Sequence, residues 1–261
     1  MAKLVLAVLV AALGVRAQAI ALVEKGRAAE IRLPAGADVS SRHAAEEIAT
    51  YVEKMSGVRP RIVEGLGDGG AGPRVVVGTL AKLKGAPDDL RRRLEAERSY
   101  EAGALSVRGE TLWVVGKEPV AEVYAAYRLL DRLGVKWLQI PTKEDPGEFV
   151  PSRREIVVEP FEEVRAPAFE RRYLTQVCSW YWPIPTNSID FLVRCGLQGR
   201  SCVACPYPLG REKKVDLKTW DDFFYSRLSD RLQTLGGGHV MFTGAIPPEK
   251  YFASQIGRAH V

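Results

Sequence analysis

The residues best suited to chemistry lie in the last third of the chain. Ser179-Trp-Tyr-Trp182 sets Trp180, Tyr181 and Trp182 in a row. Such rings can stack on the C–H faces of a ring-shaped ligand or pack as an apolar loop beneath a neighbouring domain, and the sequence leaves both open. His239 follows three glycines beside a short apolar run, where it can hydrogen-bond a substrate or hold structure. Cys178, Cys195, Cys202 and Cys205 allow three disulfide pairings, or free thiols, and nothing in their spacing chooses between them. The two-residue gap of Cys202 and Cys205 has no second such pair, and His43, His239 and His260 are not at zinc-ligand spacing, so no metal is expected. Gly65–Gly72 is rich in glycine but lacks the Gly-Lys-Ser/Thr ending that holds phosphate and magnesium. No cofactor is expected. Asp88-Asp89 and Asp221-Asp222 sit in helical patterns, so no acidic pair stands at a strand end.

Positioning these side chains requires strands and helices in alternation. The clearest unit is Pro119–Leu138. Its apolar residues Val120, Val123, Tyr124, Tyr127, Leu130 and Leu133 fall at helical offsets. Pro119 suits the first turn, and Gly134 suits a left-handed cap. Before it, Leu105–Gly116 reads as a hairpin turning near Gly109-Glu110, with Leu112–Val115 as a buried strand. Upstream, Ala21–Glu24, Glu30–Leu33, Val58–Val63 and Arg74–Gly78 read as strands. Arg42–Ser56 reads as a helix capped by Ser40 or Ser41 and stopped by Gly57, and a polar helix is expected near Asp88–Arg98. Downstream, Glu155–Glu159 reads as a strand, Ser188–Cys195 as a helix capped by Asn187, and Asp216–Leu235 as a long amphipathic helix. The expected fold is α/β: a mixed-sheet α/β sandwich in front, then the start of a (β/α)8 barrel.

Composition sets bounds. With 46% hydrophobic and 26% charged residues the chain is globular. Its net charge of +5 comes from 37 basic and 32 acidic residues with both signs interspersed. The longest basic block, Arg91–Arg93, lies among acids, so no nucleic-acid partner is expected. Residues 1–19 have the form of a signal peptide: Lys3, an apolar run Leu4–Val15, and a small-x-small site at Ala17–Ala19. That run is short for a membrane span, and no later segment is apolar enough. A secreted or periplasmic mature chain without a membrane span is expected.

The order of these elements resembles the front domain of glycoside hydrolase family 20, of the α-glucuronidases, and of a related group of uncharacterised bacterial secreted proteins. Gly116, Tyr124, Leu133, Gly134 and Trp137 carry one part of the likeness. Lys54-Met55-Ser56-Gly57 and Val77-Gly78 carry another. The resemblance covers Ala21 to about Pro160 and implies an α/β domain over residues 20–160. Pro167, Phe169 and Arg172 match the Pro-x-Phe-x-x-Arg opening of the family 20 barrel, where the arginine grips sugar hydroxyls. A guanidinium presents fixed donors that can bridge two vicinal hydroxyls, or pair with a carboxylate at a strand end. In the uncharacterised bacterial group a Gly-His is followed by a Pro-x-x-Tyr-Phe segment, as with His239 and Pro248–Phe252. The resemblance therefore implies a carbohydrate substrate bound by Arg172, His239, Trp180 and Trp182.

Residues 161–255 are expected to be a truncated barrel, because a complete one takes about 250 residues and far fewer follow Ala166. The final Ile256–Val261 corresponds to the translation of a common sequencing-adapter string and is expected to be read-through. The acid and base of a glycosidase would then lie downstream. The function expected is that of the amino-terminal part of an exported glycoside hydrolase acting on a polysaccharide or glycan. The alternative is a non-catalytic carbohydrate-binding or surface-associated protein.

Overall fold

The computed structural model describes residues 18–67, 72–169, 172–176, 186–197, 199–202 and 234–235. The chain opens with β1 (Ile20–Glu24) and β2 (Arg27–Ala28), joined through Lys25 and Gly26, both at positive φ. Next come β3 (Glu30–Leu33), α1 (Val39–Ser56), β4 (Ile62–Glu64), β5 (Arg74–Thr79) and α2 (Asp88–Ala96). The hairpin β6 (Gly103–Arg108) and β7 (Thr111–Gly116) leads to α3 (Pro119–Arg132). Then follow β8 (Lys136–Trp137), β9 (Glu148–Phe149), β10 (Ile156–Val158) and β11 (Glu162–Arg165). A second region adds β12 (Tyr173–Gln176), α4 (Thr186–Arg194) and β13 (Gly199–Cys202).

A six-stranded mixed sheet, in the order β11-β6-β7-β5-β3-β4, organises the front region. Strands β7, β5, β3 and β4 run parallel, and β6 is antiparallel to both its neighbours β7 and β11. Side chains alternate across it as the pleat demands. Val75, Val77, Leu112 and Val114 point into the larger core beneath α1 and α3. Val76, Ala104 and Val115 point into a smaller core closed by Leu90 and Leu94 of α2. The result is three layers, helix–sheet–helix. A small sheet, β10-β1-β2, stands beside it and sends Ile20, Leu22, Ile156 and Val158 into the larger core. The expected α/β sandwich is present, and β11 extends the large sheet beyond Pro160.

Helix α3 occupies the centre. Pro119 stands in its first turn. It ends in paired bonds from Gly134 N–H to the Asp131 carbonyl and from Val135 N–H to the Leu130 carbonyl, with Gly134 at φ 96°. Two glycines let its start press on the sheet. A Cβ on Gly116 would lie 2.1 Å from the Glu122 nitrogen, and one on Gly103 would lie 2.9 Å from the Ala121 carbonyl oxygen. Ala121, Ala125, Ala126 and Leu129 are buried as well as the expected stripe, so α3 is covered on nearly every side.

Three boundaries differ from the sequence reading. Asp38, not Ser40 or Ser41, caps α1: its Oδ1 accepts from the Ser41 N–H at 2.8 Å, while both serines are buried in the first turn. Strand β4 begins at Ile62 instead of Val58, because Pro60 has no N–H to offer a ladder and the Val58 N–H bonds to the Ser56 hydroxyl. Helix α4 begins at Thr186, which puts Asn187 inside it.

β12 and β13 pair in parallel around α4, from Tyr173 opposite Gly199 to Gln176 opposite Cys202. This β–α–β unit is the repeat from which parallel barrels are built. Leu235, at the end of the expected long helix, is fully buried in the larger core together with Val193 of α4. Residues 216–233 of that helix lie outside the described residues.

Candidate functional site

Two polar clusters stand out, both framed by α3. The first joins the front layers to the β–α–β unit. Arg172 lies just before β12, and each nitrogen of its guanidinium has a protein acceptor. Nε donates to the Gly196 carbonyl and Nη1 to the Phe169 carbonyl, each at 2.8 Å. Nη2 pairs with Glu101 Oε2 at 2.7 Å. The side chains are 13% and 3% exposed, and the guanidinium lies 5.5 Å from the centre of the Tyr124 ring. The Tyr124 hydroxyl in turn donates to the Leu197 carbonyl at 3.0 Å. Burial, and then the nearby Glu101 charge, push the Tyr124 phenol above its ordinary range, so it stays a donor. In this geometry the Arg172 fork bonds the protein's own carboxylate and carbonyls, the second of the two uses its chemistry allowed.

A parallel tie lies at the end of α4. Arg194 reaches Glu47 Oε2 through Nη2 at 2.9 Å and Nε at 3.2 Å, over the ring of Tyr51. Burial opposes the charge on Arg194, but Glu47 outweighs it and holds the guanidinium firmly ionised. Tyr51 also accepts from Trp137 Nε1 at 2.8 Å and donates to Glu148. Tyr124 and Trp137, two of the residues behind the family resemblance, thus pack at the seam between the regions or behind it.

The second cluster lies at the carboxyl ends of β3 and β5. These neighbouring parallel strands send the chain to opposite faces of the sheet, through α1 and α2. Such a point opens a crevice in α/β sheets. Asp38 Oδ2 pairs with Lys82 at 3.1 Å, and Lys82 also donates to the Gly36 carbonyl. Behind them Glu122 of α3 is fully buried, its two oxygens 2.9 and 3.1 Å from the Ser41 hydroxyl. Burial, then the Asp38 charge, push the Glu122 carboxyl up to about 8. Burial also acts on Asp38, yet the Ser41 N–H and Lys82 hold its carboxyl below the usual range. None of these four residues is signalled by a motif. The one clue is an acid placed between Ala121 and Val123 in a helix apolar on most sides.

Of the expected ligand-binding residues, Arg172 is described, while Trp180, Trp182 and His239 lie outside the described residues, as do Cys178 and Cys205. Cys195 is an exposed free thiol just after α4. Among the described residues no three His, Cys, Asp or Glu side chains gather as a metal ion would need. Among them, too, no helix is long and apolar enough to cross a membrane.

No protein-family model matches the sequence, and no curated protein does. Solved structures similar to the chain include two glycoside hydrolases. One is BtGH115A, a family GH115 4-O-methyl-α-glucuronidase with specificity for decorated arabinogalactans, at 13% identity and a TM-score of 0.49. The match covers 70% of this chain and 26% of that one. The other is CpGH84B, at 13% identity and a TM-score of 0.48, covering 94% of this chain and 38% of that one. The chain thus spans well under half the length of either. At such identity no residue role passes from those enzymes to this chain.

Proposed function

We propose that this chain is the amino-terminal part of an exported glycoside hydrolase acting on a polysaccharide or glycan. In this reading residues 20–165 form a platform, and β12–α4–β13 is the first repeat of the catalytic barrel. The observation that carries the reading is the succession of units: a three-layer domain, a short connection holding Pro167, Phe169 and Arg172, then a parallel β–α–β unit seated on α1 and α3. The residues behind the family resemblance support it by their places in the fold. Gly57 stops α1, Gly78 lies in central β5, Gly116 lets α3 approach, and Gly134 ends α3.

Hydrolysis of a glycosidic bond takes two carboxyl groups about 5–10 Å apart across a substrate cleft, or a carboxyl in the cleft acting with an acetamido group of the substrate. Glu122 and Asp38 do not offer that, since Glu122 is sealed from solvent. The acid and base are therefore assigned to the downstream part of the barrel, at a later strand end. The test is the natural locus read through its stop codon. The expected product carries adjacent Asp or Glu at a later strand end and cleaves aryl glycosides or a polysaccharide, while this chain alone shows no turnover above a denatured control. Turnover by this chain would overturn the placement of the catalytic groups. Retention on glycans by a complete product without cleavage would replace hydrolysis with the non-catalytic alternative.

A further inference from the structure

We propose that Lys82, Asp38, Glu122 and Ser41 form a proton-held latch that pins the starts of α1 and α3 to the end of β5, and that alkaline conditions release it. Three elements meet there: the turn after β5 brings Lys82, the cap and first turn of α1 bring Asp38 and Ser41, and the first turn of α3 brings Glu122. Asp38 is fixed as the carboxylate, because it accepts from both the Ser41 N–H and the Lys82 ammonium. Glu122 is the member that holds the proton. Ser41 links the two acids, its N–H donating to Asp38 and its hydroxyl to Glu122, so a neutral Glu122 keeps the Ser41 bond without setting a second negative charge beside Asp38. So protonated, the cluster balances one carboxylate with one ammonium. Losing the proton leaves two carboxylates on one ammonium, with Glu122 cut off from water.

Glu122 has no easy escape. Its backbone is pressed against Gly116, with no room for even a Cβ between them, and its side chain is fully buried, so a charged Glu122 reaches water only if the packing around the start of α3 opens. The positive end of α3 favours the carboxylate, but burial and the Asp38 charge outweigh it. The folded Glu122 carboxyl titrates at about 8, above its ordinary 4.5. The protonated form is therefore the one that stabilises the fold. Its contribution is complete below about pH 4.5, declines as pH rises, and is gone above about 8. The same two helices supply Glu47 and Tyr124 to the seam with the β–α–β unit, so release loosens the platform beneath it.

The test uses the full chain in thermal melts from pH 5 to 9.5, comparing wild type with Glu122→Gln, which stays neutral and keeps a donor. Relative to that variant, the wild-type Tm is expected to fall with rising pH by on the order of 5–10 °C and then level off. Hydrogen exchange at the Ser41 and Arg42 amides, corrected for base catalysis, should rise above pH 8 in the wild type only. Asp38→Asn removes the like charge and should shrink the alkaline fall, which keeps the test open should Glu122→Gln not fold. Parallel pH curves for wild type and Glu122→Gln, or an undiminished fall in Asp38→Asn, would overturn the latch.

Discussion

The front layers and the β–α–β unit behind them are held by different forces. In front, two apolar cores close on both faces of one sheet, and glycines bring α3 to within backbone contact of the strands beneath. At the seam, among the described residues, two aliphatic side chains, Val193 and Leu235, enter the larger core, alongside polar ties: Arg172 to Glu101, Arg194 to Glu47, and Tyr124 to the Leu197 carbonyl. Apolar burial is non-directional and tolerates small shifts, whereas a buried ion pair fixes angle and register. The front domain therefore sets stability. The seam sets where the first strand of the second region begins.

The sharpest way to break this contrast is Gly116→Val. The new side chain collides with backbone, not with a flexible tip, so α3 must lift and both regions should lose structure together. The expected cost is at least about 3 kcal/mol in denaturant melts of the full chain. A smaller loss would mean that α3 can slide and that the glycine contact does not set the layer spacing.

Next is Glu47→Gln, which leaves the Arg194 guanidinium buried without its counter-charge. The expected loss is about 2–3 kcal/mol, and the double variant with Arg194→Met should recover part of it. The contrast predicts where the loss appears. Amide exchange should accelerate in α4 while β5 and β7 stay protected. Equal acceleration in both regions would show that the seam also stabilises the front layers.

The smallest effect belongs to Arg42→Ala. Its pair with Glu64 is half exposed on both sides, and its removal should cost less than about 1 kcal/mol in the same melts. A larger cost would make the surface of α1 part of what holds the sheet edge.

Much of the front fold was legible because its signals are local. The valine run in Arg74–Gly78, the turn at Gly109, and the periodic stripe of α3 between Pro119 and Gly134 each report on a few neighbouring residues. The cap of α1 was misplaced for an equally local reason: Asp38, Ser40 and Ser41 are all good cap residues, and packing against Glu122 decided among them. The candidate sites were less legible. Glu101, Glu47 and Arg194 are ordinary charged residues in sequence, and they acquire partners 71, 147 and 147 positions away. Arg172 stood out through a family motif, yet the motif could not say whether its donors face a ligand or Glu101.

The sequence by itself determined the principal strands and helices of the front region, where the glycine stops fall, and that both faces of a sheet would need covering, since each depends on residue type and spacing along the chain. Only the tertiary structure decided that α3 lies buried on nearly every side, that Glu122 is sealed behind the half-buried Asp38, and that Arg172 turns to Glu101. Those outcomes depend on desolvation and charge pairing between elements far apart in the chain. Neither exists until the layers close.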